Sequence, residues 1–227
     1  MGRDRIMDKG VIIEYDFTAI DGAQLLFDTA RKFFEDLDGI KLDAGTEARY
    51  LAGQNYLLGL TAFFATLKTK KTAAKAAKDL PVAFQKALGA KIAAEGLAPE
   101  FVKAVKALEA KGLKIVIATR ADIASVKDAF APVLSDNVKL YFENSITYGN
   151  VKWDAWRRAA KEIGVAPQMA AVVTGSGFGV KSALLASFHV AAVHSPHVAW
   201  QDFGGANYVG EKFDNMLVER VLRTLRV

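Results

Sequence analysis

Short runs of apolar, mostly β-branched residues recur along the chain, and most are followed by a segment in which apolar positions return every three or four residues. That alternation predicts parallel strands joined by crossover helices, because a strand buried on both faces is apolar throughout while a helix buries one stripe. The predicted strands are 11–15 (VIIEY), 114–118 (KIVIA), 138–142 (VKLYF), 170–174 (AAVVT), 189–193 (HVAAV) and a shorter 206–210 (ANYVG). Single helices are predicted between the later strands over 122–134, 153–164 and 179–187, and a closing helix over 214–227.

The first interval breaks this rhythm, since about 98 residues separate the first strand from the second. One crossover cannot use that length. Most of it carries helical spacing, over 22–37, 46–67 and 71–96, which predicts an inserted α-helical cap. A helix over 98–112 returns the chain to the sheet, with Pro99 in its first turn and Gly112 as its stop. The expected architecture is α/β: a Rossmann-like parallel-sheet core from residues 1–21 and 97–227, with an α-helical cap from 22–96.

Composition adds limits. The 227 residues are 52% hydrophobic and 24% charged, a globular balance with a sizeable core. The longest apolar runs are too short or too interrupted to cross a bilayer, and the first ten residues do not read as a secretory signal. There is no cysteine, which excludes disulfides and thiolate sites and fits a reducing compartment; the cytoplasm is the expectation, with an organelle not excluded. The net charge of +5 is concentrated between Lys68 and Lys91, where seven lysines face one acid, Asp79. A solvated helix face and a surface for a polyanion or protein partner both fit that run. It holds no arginine and one aromatic, Phe84, a poor composition for stacking on bases.

In an open parallel sheet, ligands collect at the carboxyl ends of the strands, so the residues just past each strand carry the candidate chemistry. Glu14, Asp16 and Thr18 follow the first strand, and Thr119 and Arg120 end the second. Lys152 precedes the helix after the third, and Thr174-Gly175-Ser176-Gly177-Phe178-Gly179 follows the fourth. In this order they resemble the four motifs of the haloacid dehalogenase superfamily, and the resemblance covers nearly the whole chain. In VIIEYDFTAID, Glu14 takes the place of the nucleophilic aspartate, Asp16 that of the general acid/base, and Thr18 and Asp21 match the trailing positions. KIVIATR supplies Thr119. GNVKWDAW supplies Lys152, with Trp153 where the motif commonly has proline. TGSGFGVKSALLAS has the shape of the fourth motif, but Gly175 and Gly179 stand at the places of its two aspartates.

The resemblance implies phosphoryl transfer from a phosphorylated small molecule, with magnesium held by the first carboxylate and the fourth-motif acids. Glycine offers no side-chain ligand, and Glu14 displaces its oxygens by roughly an ångström, enough to cost about a hundredfold in rate. The expectation is therefore a non-catalytic or very weakly catalytic member of this fold, binding a phosphorylated ligand or a partner. No cofactor is expected, and magnesium only if the site works. A phosphohydrolase using Glu14 and Asp16, with Thr119 and Lys152 on the phosphate, is one alternative; an assembly or polyanion-binding component is another. Each residue also has a plainer reading: Glu14 and Asp16 as solvated strand-end residues, Thr119 as a turn cap, Lys152 as a surface lysine. His189, His194 and His197 show no metal-ligand spacing, and neither Ser176 nor the GSGFG stretch forms a hydrolase elbow or a dinucleotide fingerprint.

Overall fold

The computed structural model describes residues 8–52, 56–67, 73–144 and 152–227. Six strands, β1 (Gly10–Glu14), β2 (Lys114–Thr119), β3 (Val138–Phe142), β4 (Ala170–Thr174), β5 (His189–Val193) and β6 (Tyr208–Gly210), form one parallel sheet in the order β3-β2-β1-β4-β5-β6. β1 is central, pairing Ile13 with Ile117 on one side and with Val173 on the other. The chain winds outward from it in both directions, so the ends of β1, β2 and β4 meet at the switch point.

Helices cover both faces, which explains the unbroken apolar strands. Val11, Ile13, Ile115, Ile117, Ala171 and Val173 point to one core, while Ile12, Val116, Ala118 and Val172 point to a second. The second core is closed by α8 (Lys152–Glu162) and α9 (Gly177–Leu185), and Trp156 is its largest side chain. The first is closed by α6 (Pro99–Glu109), α7 (Ile123–Phe130) and α10 (Asn215–Leu225). On α10 the buried Leu217, Val218, Val221 and Leu225 form the stripe that its apolar spacing required.

β1 ends one residue earlier than predicted. Tyr15 opens a single helical turn, α1 (Tyr15–Thr18), in which the Thr18 hydroxyl donates to the Glu14 carbonyl at 2.7 Å. Between α1 and β2 lie α2 (Gly22–Asp38), α3 (Ala44–Tyr50), α4 (Tyr56–Thr66) and α5 (Ala73–Glu95). The continuous helix expected over 46–67 is two helices. The first starts early, because the Asp43 side chain accepts from the Thr46 amide at 2.9 Å, and it ends where the Leu51 and Ala52 amides both fold back onto the Glu47 carbonyl. No helix among the described residues is long and apolar enough to cross a membrane.

Of the lysine-rich run, Lys68, Lys70 and Lys71 lie outside the described residues. On α5, Lys75 pairs with Asp79 and Lys91 with Glu95, one turn apart, while Phe84 is turned inward against Phe17. This is the bonding pattern of a solvated helix face.

Candidate functional site

β1 delivers Glu14 and the following turn delivers Asp16, both fully buried. Neither is a solvated strand-end residue. Glu14 accepts from the Lys152 ammonium at 2.6 Å, from the Arg120 guanidinium at 2.7 Å, from the Gly175 amide at 3.2 Å and from the Thr174 hydroxyl. Asp16 accepts from the Thr119 hydroxyl at 2.6 Å, from the Arg120 amide at 2.7 Å and from Arg120 Nη1 at 3.2 Å. Arg120 is 1% exposed; its Nη2 also meets Glu143 at 2.7 Å, and its guanidinium lies 4.9 Å over the Phe17 ring. Lys152, 7% exposed, sits 5.3 Å over the Trp156 ring and is not a surface lysine.

The residues predicted from the strand ends, Glu14, Asp16, Thr119 and Lys152, thus share one cluster. Thr119 and Lys152 spend their hydrogen bonds on the carboxylates rather than on an open anion site. The Thr119 hydroxyl also accepts from the Ala121 amide at 3.1 Å, so its turn-capping role is present too. Arg120 and Thr174, which the sequence placed at strand ends without a role, and Glu143, which it did not single out, complete the cluster. All three sit at or just beyond a strand end, which is the signal that could have found them. Ser176 caps α9 by accepting from the Gly179 amide at 3.0 Å, and Asp21 caps α2 by accepting from the Gln24 amide at 3.1 Å.

Burial and charge set the protonation states. Burial alone would raise the Glu14 carboxyl, but the adjacent Lys152 and Arg120 cations outweigh it and hold Glu14 far below the usual carboxylate range. For Asp16 burial wins over Arg120 and Thr119, and its pKa is pushed up to about 6. Burial lowers Lys152 against the pull of Glu14. Arg120 is held above its ordinary value by Glu143, Glu14 and Asp16 despite its burial.

The two acids make opposite contributions to acid stability. Folded Asp16 keeps a proton that the unfolded chain releases above its ordinary value, so its contribution is fully present below that value and lost as pH rises through about 6. Glu14 stabilises above its ordinary value, and that contribution disappears only as pH falls far below it. Relative to Asp16→Asn, the wild-type protein is expected to lose about 3 kcal/mol of stability between about pH 4 and about pH 7. Urea unfolding of both proteins across that range measures it; a pH-independent difference would contradict the assignment.

Magnesium, the metal implied by the resemblance, does not fit these residues. The carboxylate oxygens on β1 and its turn are bonded to cations and hydroxyls, and among the described residues no group of three acids or histidines is arranged to hold a metal ion. Nor is there room for the missing acids. A Cβ on Gly175 would fall 2.1 Å from the Phe17 carbonyl oxygen, and one on Gly179 would fall 1.9 Å from the Thr174 hydroxyl oxygen. A cleft of about 550 Å³ opens beside the cluster, lined by Phe17, Thr18, Asp21, Phe101, Ser195 and Phe213 among others, but Glu14, Asp16, Arg120 and Lys152 do not reach it.

A parallel sheet with this strand order and helices on both faces, with a helical insertion after its first strand, defines a Rossmann-type α/β architecture. The chain belongs to the haloacid dehalogenase-like hydrolases: the model of that family matches residues 9–186. Solved structures agree on the fold. CbbY from Rhodobacter sphaeroides in complex with phosphate superposes with a TM-score of 0.72 at 18% identity, covering 97% of this chain and 100% of that one. The same protein in complex with xylulose-(1,5)bisphosphate gives 0.68 at 16% identity, over 92% and 96% of the two chains. β-Phosphoglucomutase from Clostridium difficile gives 0.71 at 16% identity, over 97% and 98%. Comparison with curated proteins returns no match.

Proposed function

We propose that this chain is a non-catalytic or very weakly catalytic haloacid dehalogenase-like protein in which Arg120 and Lys152 neutralise the carboxylates that a phosphatase would keep for substrate and metal. One observation carries the reading: the Arg120 guanidinium bridges Glu14, Asp16 and Glu143, so it is already bonded to carboxylates that a divalent cation would need. Attack by Glu14 on a phosphoryl group requires a carboxylate lone pair aligned with the phosphorus and cations on the phosphoryl oxygens. Here the nearby cations are already on Glu14 itself. A phosphate dianion would have to draw one of the two buried cations, Arg120 or Lys152, away from Glu14 while approaching three carboxylates, and repulsion works against each step.

Retention of the fold then points to binding. The phosphate and sugar bisphosphate held by CbbY make a phosphorylated small molecule the first ligand class to test. Purified protein with an aryl phosphate and magnesium is expected to show only background turnover, unchanged by Glu14→Gln. Magnesium-dependent turnover that Glu14→Gln abolishes would establish the phosphohydrolase alternative instead. Lys75 and Lys91 are already ion-paired along α5, so the solvated-face reading of the lysine run is preferred to a polyanion surface. Binding to heparin is accordingly expected to be no tighter than that of any protein with this net charge, and a steep salt-dependent affinity would overturn that preference.

A further inference from the structure

The helical insertion and the sheet body are joined by a second polar cluster, remote in sequence from the motifs. After β5 the chain makes a single turn at Pro196–Val198 and runs to Gln201. His197 Nε2 lies 2.8 Å from Glu47 Oε2 on α3, 150 positions away. Glu47 is fully buried, its other oxygen Oε1 has no hydrogen-bond partner among the described residues, and the His197 side chain is 9% exposed. Gln201 completes the joint. Its amide Nε2 donates to the Ala48 carbonyl at 2.9 Å and the Ala52 carbonyl at 3.1 Å, at the end of α3, while its Oε1 accepts from the Gly177 amide at 2.9 Å. One side chain therefore ties the insertion to the loop that opens α9.

We propose that His197, Glu47 and Gln201 form a pH-sensitive latch that holds the helical insertion closed on the sheet body and loosens when His197 loses its proton. With His197 protonated, the pair is a buried, charge-assisted hydrogen bond. With His197 neutral, Glu47 is a buried ionised carboxylate that has lost the counter-charge of its imidazole partner, and an uncompensated buried charge drives opening to solvent. The Gln201 bonds then remain as the polar tie between α3 and the loop that opens α9. The groups facing His197 all favour its protonated form: Glu47 from α3, and Asp21 and Asp28 from α2, with the Phe27 ring 5.1 Å away. The hydrogen bond to Glu47 is the largest of these influences and holds the imidazole pKa above its ordinary value, so the latch is closed at mildly acidic pH and releases on the alkaline side. Burial raises Glu47, so at strongly acidic pH the pair loses its other charge.

Amide hydrogen exchange on the full chain tests this, with rates corrected for intrinsic pH dependence and β2 and β4 as internal reference. In the wild-type protein, exchange of the α3 amides relative to the sheet is expected to rise about tenfold from mildly acidic to alkaline pH, a shift of about 1.4 kcal/mol in opening free energy. His197→Gln should exchange fast at every pH. Glu47→Gln, which removes the buried charge and keeps the shape, should stay protected at every pH. Flat wild-type exchange, or a wild-type slope persisting in Glu47→Gln, would overturn the latch; the second result decides even if His197→Gln fails to fold.

Discussion

Replacing Arg120 with methionine lowers the free energy of unfolding by about 3–5 kcal/mol, the cost of removing one partner from a buried ion-pair cluster. Methionine fills most of the arginine stem, so the loss is electrostatic rather than a cavity. Glu14 keeps Lys152 and the Thr174 hydroxyl, but Asp16 loses the Nη1 contact and Glu143 loses its ion pair to Arg120, so the buried carboxylates lose the cation they share. Part of the penalty is relieved as Asp16, whose pKa already stands near 6, takes up a proton. The destabilisation should therefore shrink below about pH 6, as protonation replaces the missing counter-charge. Denaturant unfolding at neutral and mildly acidic pH measures both the size and the pH trend. A change under about 1 kcal/mol at neutral pH would mean that Arg120 is not a buried structural cation.

Restoring the acid that the fourth motif lacks is expected to damage the protein rather than repair it. Gly175→Asp places a Cβ 2.1 Å from the Phe17 carbonyl oxygen and 2.5 Å from the Phe17 Cβ, so the turn after β1 has to move. Overpacking alone costs about 1–3 kcal/mol, and the new carboxylate arrives beside Glu14 with no cation of its own, which raises the total. Gly175→Ala separates the two contributions. It carries the steric part without the charge and should lose about 1–3 kcal/mol, measured by thermal or denaturant unfolding. An Ala variant as stable as wild type would show that the approach of the Phe17 backbone to Gly175 is not a constraint.

The second result bears on what the sequence could reveal. By the motif resemblance, Gly175 and Gly179 read as positions where ligands had been lost. What a linear reading cannot register is that the backbone of Phe17 and the Thr174 hydroxyl stand so close to them that a side chain no longer has space. Strands β1, β2, β4 and β5 were legible because each buries both faces, which writes a nearly uninterrupted apolar run, and the insertion was legible because no crossover uses about 98 residues. The break between α3 and α4 was not, since apolar spacing continues through a point where backbone amides turn back onto Glu47. Arg120 and Glu143 were read past for a related reason: charged residues at strand ends are ordinarily solvated, and their burial here arises only where β1, β2 and β3 converge. The pairing of His197 with Glu47 crosses 150 positions and leaves no periodic trace.

The cluster also explains why Thr119 and Lys152, expected from sequence to contact a phosphate, need not act on one. Two hydroxyls, an ammonium, a guanidinium and backbone amides are all turned toward Glu14 and Asp16. An external anion gains only by breaking bonds that already exist, and an external cation gains only by displacing Arg120.

Calorimetric titration of the wild-type protein with magnesium at neutral pH tests that central claim most directly. The account predicts no saturable heat up to millimolar magnesium, because Arg120 and Lys152 already neutralise the carboxylates. A one-to-one binding isotherm that Glu14→Gln eliminates would contradict it.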